Sequence, residues 1–282
     1  MMGLFPTSLF TVHKGKSGGR GLSPRLWSKV ANQALSPDGS SNGYFFYDDY
    51  LTFANTTAVA TNVGRYASQG GGYLSYEDTG GSITQLASEV GGAIRIATDT
   101  TDNDEVWMQP GMATSVMGKV ASSSGKLMIF ETRFRVGQVT DSYNIFLGMS
   151  EEGLAAADTV TDAGALADKD FLGFWVTEAD GDSLKFGYRK AGGALQTIAT
   201  VGAIAASTWY KVGFVFDPDE PSSRRIKICL DNIESSTYVT GSQISASTFP
   251  DGEELNFLAG LKNGAGAIKT LDLDWTGFFQ AA

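Results

Sequence analysis

Three stretches near the C-terminal end decide how the chain folds: Trp209-Tyr210-Lys211-Val212-Gly213-Phe214-Val215-Phe216-Asp217, Arg225-Ile226-Lys227-Ile228-Cys229-Leu230-Asp231-Asn232 and Leu271-Asp272-Leu273-Asp274-Trp275-Thr276-Gly277-Phe278-Phe279. In each, large apolar residues alternate with small or charged ones at period two. This is the pattern of a half-buried strand whose successive side chains point to opposite faces of a sheet. The same reading applied upstream predicts strands over 44–53, 72–77, 92–98, 105–109, 126–137, 143–149, 171–178, 183–190, 195–201, 208–217, 224–231, 255–262 and 268–279. Within 126–137, Met128, Phe130, Phe134 and Val136 share one face while Glu131, Arg133 and Arg135 share the other, which predicts a sheet with one wet face. Asp180-Gly181-Asp182 between two such runs has hairpin chemistry, and the Ala-rich stretch 154–168 reads as a short helix or a long loop. So many short strands with polar turns exceed an immunoglobulin-type unit. They predict an all-β protein, a two-sheet antiparallel jelly-roll sandwich with an extended N-terminal arm.

Composition is consistent with that class. A chain of 282 residues with 42% hydrophobic content can fill one large sandwich core, and its 35 glycines fall mostly between strand-like runs, where tight turns need them. One cysteine, Cys229, rules out an intramolecular disulfide, and its place in an alternating run predicts a covered small thiol. The first ten residues lack the basic start and apolar length of a signal peptide. No segment approaches the roughly 18 to 20 continuous apolar residues of a membrane span, so the expectation is a soluble protein made in a cytoplasm.

Charge divides the chain. Residues 1–37 carry Lys14, Lys16, Arg20, Arg25 and Lys29 and no acid; the other 16 basic and 31 acidic residues give −15, which with the +5 of residues 1–37 makes the net charge of −10. We therefore divide the sequence into a basic arm, 1–43, and a sandwich, 44–282. The arm is rich in Gly, Ser and Pro and cannot bury enough surface by itself to offset its ordering entropy, which leaves two readings, a disordered tail or an arm that orders against a partner. Phe5, Phe10 and Trp27 are nevertheless unfavourable to leave in water. Together with the five basic residues they are the expected partner-binding set, facing an acidic neighbouring subunit rather than nucleic acid, because five spread charges make no dense patch.

Catalytic devices are few. His13 is the only histidine and lies in the arm, which removes Ser-His-Asp, Cys-His and His-based metal sites from the sandwich. Glu178, Asp180 and Asp182 alternate as a glycosidase carboxylate pair would, yet Gly181 places them in a turn. Asp99, Asp102 and Asp104 offer hard oxygen donors for calcium without the spacing of a twelve-residue calcium loop. Trp107, Trp175, Trp209, Trp275 and Tyr188 could stack on sugars, but within strands such residues usually belong to a core.

The run from Trp209 to Asp217, the strand 226–232 and the closing strand 271–278 together resemble the end of a concanavalin A-like or laminin-G-like jelly roll. In that family the last strand returns to the sheet beside the first. Thr101 to Val106, Phe130 to Val136 and Phe146 to Ser150 are similar to tailed-bacteriophage structural proteins carrying this sandwich. The resemblance spans about residues 44–280 and implies a fold more than an activity. The glucanases of this fold carry Glu-x-Asp-x-Glu or Glu-x-Asp-x-x-Glu on a cleft strand, which Glu178-Ala179-Asp180-Gly181-Asp182 does not match, and legume-type lectins use a histidine metal ligand that is missing here. The resemblance thus implies a non-catalytic virion structural protein, most economically a capsid decoration or cement protein anchored through its arm. Its expected partners are the major capsid protein or other virion subunits, in a homo-oligomer, with no cofactor, nucleic acid or membrane, and its expected location is the virion, after synthesis in the host cytoplasm. The alternatives are a carbohydrate-binding module of a phage tail or fibre and, after it, a glycoside hydrolase using Glu178 and Asp180.

Overall fold

The computed structural model describes residues 21–30, 43–60, 63–68, 71–87, 89–139, 142–151 and 159–282, with the side chains of 55–60 excepted. A single helical turn, Pro24–Trp27 (α1), precedes the strands Gly43–Asp48 (β1), Ala54–Ala60 (β2), Val63–Ser68 (β3), Gly71–Glu77 (β4), Ser82–Gln85 (β5), Ile94–Ala97 (β6), Glu105–Pro110 (β7), Met128–Val136 (β8) and Tyr143–Ser150 (β9). Then follow Phe171–Val176 (β10), Ser183–Arg189 (β11), Gln196–Ala203 (β12), Tyr210–Phe216 (β13), Ile226–Leu230 (β14), Ile233–Glu234 (β15), Asn256–Asn263 (β16) and Thr270–Ala281 (β17), with one short helix, Gly241–Ile244 (α2), before β16.

The strands form two antiparallel sheets. Sheet A runs β15-β14-β13-β8-β17-β6-β5, with β1 alongside the end of β17, and sheet B runs β12-β11-β10-β9-β16-β7-β4-β3-β2. The closing strand does lie beside the first: β17 pairs β6 through Thr270–Leu273 and β1 through Thr276–Ala281, and a bulge at Asp274 lies between the two pairings. A bulge adds one residue and a local bend, which suits a strand that changes neighbour partway along.

The inward positions of both sheets form one core, with Phe130, Phe134, Phe214, Phe278 and Ile96 from sheet A meeting Phe174, Phe186, Leu147 and Phe257 from sheet B. Asp48 of β1 is buried yet satisfied, accepting hydrogen bonds from the Tyr50 amide at 2.8 Å, Ser68 Oγ at 2.6 Å and Tyr73 Oη at 2.8 Å. Since β1 belongs to sheet A and β3 and β4 to sheet B, this carboxylate ties the two layers together. Tyr50 holds a left-handed backbone (φ 54°) and is fully buried, its hydroxyl bonded to Thr276 Oγ1 at 3.0 Å.

The alternating stretches quoted first became β13, β14 and β17, and the strands expected upstream are present. The structure adds β2, β3, β5 and β15, which the periodicity did not single out because they are short or built from Ala, Thr, Gly and Asn. The described part of the Ala-rich stretch, 159–168, is a turn closed by a Val160–Leu166 bridge and contains no helix. The expected wet face of β8 is corrected: Glu131 is 1% exposed, and Arg133 and Arg135 are engaged with Asp274 and Asp272.

Candidate functional site

The outer face of sheet A explains that burial. Across it, Tyr47, Gly277, Glu131, Gly213 and Cys229 stand in one register row on β1, β17, β8, β13 and β14. Glycines on either side of Glu131 leave two shallow seats. Trp27 lies over Gly277, where an added Cβ would come 3.2 Å from its ring, and Leu26 lies over Gly213, where it would come 2.5 Å from Leu26 Cδ1. Between the seats Glu131 accepts the Ser23 amide at 2.9 Å and Trp27 Nε1 at 2.8 Å. Two apolar side chains and one buried carboxylate therefore hold a single helical turn that is too short to persist alone.

Around this clamp, Lys211 Nζ donates to the Gly21 carbonyl at 2.9 Å, the Arg25 amide donates to Asn232 Oδ1 at 3.2 Å, and Lys29 pairs with Asp217 and Glu220. Leu26, Trp27 and Val30 complete an apolar layer with Ile129, Val215, Cys229 and Phe279. Burial raises the Glu131 carboxyl above the usual range, while the hydrogen bonds from Ser23, the Lys211 charge and the Trp27 indole pull it back. Burial and the Glu131 charge push the Cys229 thiol up to about 12, so it is protonated and inert at neutral pH. The Asp217 hydrogen bond raises the Lys29 ammonium.

Farther along the same face, Asp272 accepts both Arg95 and Arg135 in forked pairs, with Arg95 Nε at 2.7 Å and Arg135 Nη2 at 2.6 Å. The Arg133 and Arg135 guanidiniums lie 4.6 and 4.5 Å from the centroid of half-buried Trp209. Trp209 is thus a cation–π partner of the sheet's own arginines.

The outer face of sheet B is closed differently. One register row carries Tyr76, Trp107, Gly260, Phe146, Trp175 and Lys185; the next carries Leu258, Gly148, Gly173 and Gly187. The rings lie over the glycines of neighbouring strands: added Cβ atoms on Gly260, Gly173 and Gly187 would meet Trp107, Phe146 and Trp175 at 2.4, 2.9 and 2.9 Å. Val160 and Leu166 of the 159–170 turn then pack on Trp107, Phe146, Phe171 and Trp175, all of which are buried. Lys262 Nζ holds Asp162 at 2.7 Å, Arg189 donates to the Leu166 and Ala167 carbonyls, and Trp107 Nε1 donates to Glu105 at 2.8 Å. Trp107, Trp175, Trp275 and Tyr188 are therefore core residues, as strand position implies.

Of the expected partner-binding set, Arg25, Trp27 and Lys29 lie against the chain's own sheet A, with Arg25 3.9 Å from Glu234. Phe5, Phe10, Lys14, Lys16 and Arg20 fall outside the described residues. Asp99 and Asp104 are brought together, while Asp102 is exposed on the turn; among the described residues no group of three acidic, His or Cys side chains is arranged to hold a metal ion. Burial raises the Asp104 carboxyl to about 7, and its hydrogen bond to Asp99 lowers the latter. Glu178–Asp180 is a short 3-10 turn in which Asp180 accepts the Thr177 amide and hydroxyl and pairs with Lys185, so its oxygens serve the hairpin. Glu131, Lys211, Gly213 and Gly277 were not singled out from sequence, although a glycine at an outward position on each of two strands flanking an outward glutamate was a usable signal.

No protein-family model matches the chain, and no curated protein matches it in sequence. Solved structures do. A protein of unknown function from Shewanella oneidensis is similar over 94% of this chain and 96% of its own, with a TM-score of 0.54 at 16% identity. The endo-β-1,4-glucuronan lyase of the fungus Trichoderma reesei matches over 83% of this chain and 94% of its own, with a TM-score of 0.51 at 14% identity. The carbohydrate recognition domain of Emp47p matches over 87% of this chain and 100% of its own, with a TM-score of 0.51 at 15% identity. The chain thus has the concanavalin A-like jelly-roll fold, in an architecture used by carbohydrate-binding proteins and by enzymes. The expectation that the chain is no enzyme is corrected on this point: a fold shared with a polysaccharide lyase is compatible with catalysis, and the mismatch at 178–182 addressed a single motif.

Proposed function

We propose that the chain is a bacteriophage virion structural protein that decorates a capsid surface, with residues 1–20 as the attaching segment. The reading takes up the resemblance to tailed-phage structural proteins expected from the strand sequences, and one structural observation supports it: the segment next to those residues is clamped. Gly21, Ser23 and Trp27 are held by Lys211 and Glu131, so the described part of the arm begins at a fixed point on the outer face of sheet A. An attachment segment with a fixed root transmits load to the body and adds contact area without a larger globule. The +5 charge of the first 37 residues, set on a chain of net −10, favours an acidic surface as the partner.

Quantitative mass spectrometry of purified particles tests the assignment. It should find the protein at the copy number of a capsid lattice position, and absence from particles overturns it. A chain lacking residues 1–20 should stay folded yet fail to sediment with particles that lack the protein; undiminished binding would remove the arm from the account.

One observation favours glycan recognition as a second reading. Tyr47 is 38% exposed and lies parallel to Phe45, with ring centroids 6.4 Å apart and planes 8° apart, beside the buried Trp275 ring. Flat aromatic pairs of this kind suit the apolar face of a sugar ring. Tyr47→Ala should then abolish saccharide capture on a glycan array while leaving the melting temperature within about 2 °C.

A further inference from the structure

A chain of net −10 has more carboxylates than cations, so its basic side chains should find acidic partners within the fold. Most of those described do, as Lys29, Arg95, Arg135 and Lys227 illustrate. The charged ends of Lys119, Lys126 and Arg225 have neither an ion pair nor a hydrogen bond among the described residues. Two of these three, Lys119 and Lys126, line one cleft.

The cleft, about 290 Å³, lies between the loops 116–119 and 124–126 at the end of β17. Gln280 of β17 braces both loops: its Oε1 accepts the Lys119 amide at 2.8 Å and its Nε2 donates to the Lys126 carbonyl at 3.2 Å. Glycines allow this approach, since an added Cβ would lie 2.4 Å from Gln280 Oε1 at Gly118 and 2.3 Å from the Ala121 carbonyl oxygen at Gly125. The two lysines are therefore rooted at fixed points on either side of one side chain, and both extend into solvent. Between them Met117 and Ala281 give an apolar floor, and Val116 is an exposed apolar lip. Leu127 and Ala281 also pack on the layer that holds Trp27 and Val30, so the cleft adjoins the seat of α1.

We propose that this cleft binds an acidic peptide segment of a partner protein, one that brings two carboxylates to Lys119 and Lys126 and sets an apolar side chain between them against Val116 and Met117. Charge selects the partner: an acidic body repels acidic surfaces except where its cations are left unpaired. The apolar floor selects a peptide over a bare inorganic anion, which has nothing to place there. A sugar fits less well, because the Gln280 amide is already used by the loops and offers no free group for hydroxyls. The inference rests on the reading above for the acidic partner surface, and it adds a second contact beside the arm. Exposed ion pairs contribute only about 0.2 to 1 kcal/mol each, so one cleft binds weakly and an array of copies makes the contact count.

Fluorescence anisotropy of a labelled Glu-Leu-Glu-Leu-Glu peptide, titrated with the full chain in the absence of particles, is the test. A Kd of about 0.1 to 1 mM is expected at low ionic strength. Lys119→Ala and Lys126→Ala should each weaken binding about twofold to fivefold, and together about tenfold, with the thermal midpoint kept because both side chains are exposed. Arg225→Ala, outside the cleft, should leave the affinity unchanged. No binding overturns the proposal. So does equal binding of a Glu-Ser-Glu-Ser-Glu peptide, which would mean charge alone, or displacement by equimolar inorganic phosphate, which would mean a small-anion site. An equal loss in Arg225→Ala would mean diffuse attraction and overturns it too. Peptide binding by a chain that is absent from particles supports the cleft and overturns only the virion reading.

Discussion

Both outer faces of the sandwich are covered, and they are covered by different means. Sheet B is closed by its own residues: Trp107, Phe146 and Trp175 fold over glycines of adjacent strands, and an internal turn, 159–170, seals them. Sheet A is closed by the segment ahead of the strands, residues 21–30, around a carboxylate that would otherwise face water. An apolar seal made from within the sheet forms as the sheet forms. A strap around a buried charge is a separable element, since the same Glu131 that is unfavourable when buried alone is well solvated once the strap leaves. The difference teaches where the molecule can change state without unfolding.

The largest effect should come from breaking the sheet B face. Gly148 and Gly173 face each other on β9 and β10, and a Cβ on either meets the backbone of the other strand at 2.5 to 2.9 Å, so nothing flexible can yield. Gly173→Val should prevent folding, as judged by loss of the cooperative thermal transition; a folded variant would show the close approach to be wrong. Next in size is Trp27→Ala, which removes the ring over Gly277 and a donor to Glu131. Chemical denaturation should show a loss of about 2 to 4 kcal/mol with the body still cooperatively folded. Trp27→Phe keeps most of the packing and leaves the carboxylate one donor short, at about 1 to 2 kcal/mol.

Smaller still is the pH effect of Asp104. Its folded-state value of about 7 lies above that of the free side chain, so its contribution to stability is present at low pH and is lost as pH rises through about 7. Asp104→Asn should flatten the melting temperature against pH between about pH 4 and 7. An unchanged slope would mean that the 99–104 turn does not hold a proton. Neither sheet face is involved, so this variant also serves as the control for the other three.

The sandwich was legible because β8, β13, β14 and β17 alternate large apolar with small or charged residues over five or more positions. β2, with Ala54-Asn55-Thr56-Thr57-Ala58-Val59-Ala60, carries too few large side chains for its period to appear. The same period that found β8 misplaced Glu131, since alternation assigns a residue to a face and says nothing of what covers that face. Trp27 was legible as a residue unfavourable in water. Its seat was not, because Gly213, Gly277 and Glu131 come from three strands far apart in sequence and meet only through the register of the sheet. The enzymatic question was the least legible, for a jelly roll places its chemistry on side chains that fold class does not specify.

Cys229, the only thiol, lies in the apolar layer beneath the strap and reports directly on whether residues 21–30 close sheet A. The decisive measurement is the rate at which a neutral alkylating reagent modifies it in the native full chain and in the Trp27→Ala variant, under conditions where both are folded. The account predicts negligible modification in the full chain and at least tenfold faster modification in the variant, about 1.4 kcal/mol or more of lost protection. Equal rates in the two proteins would contradict it and leave the outer face of sheet A without its strap.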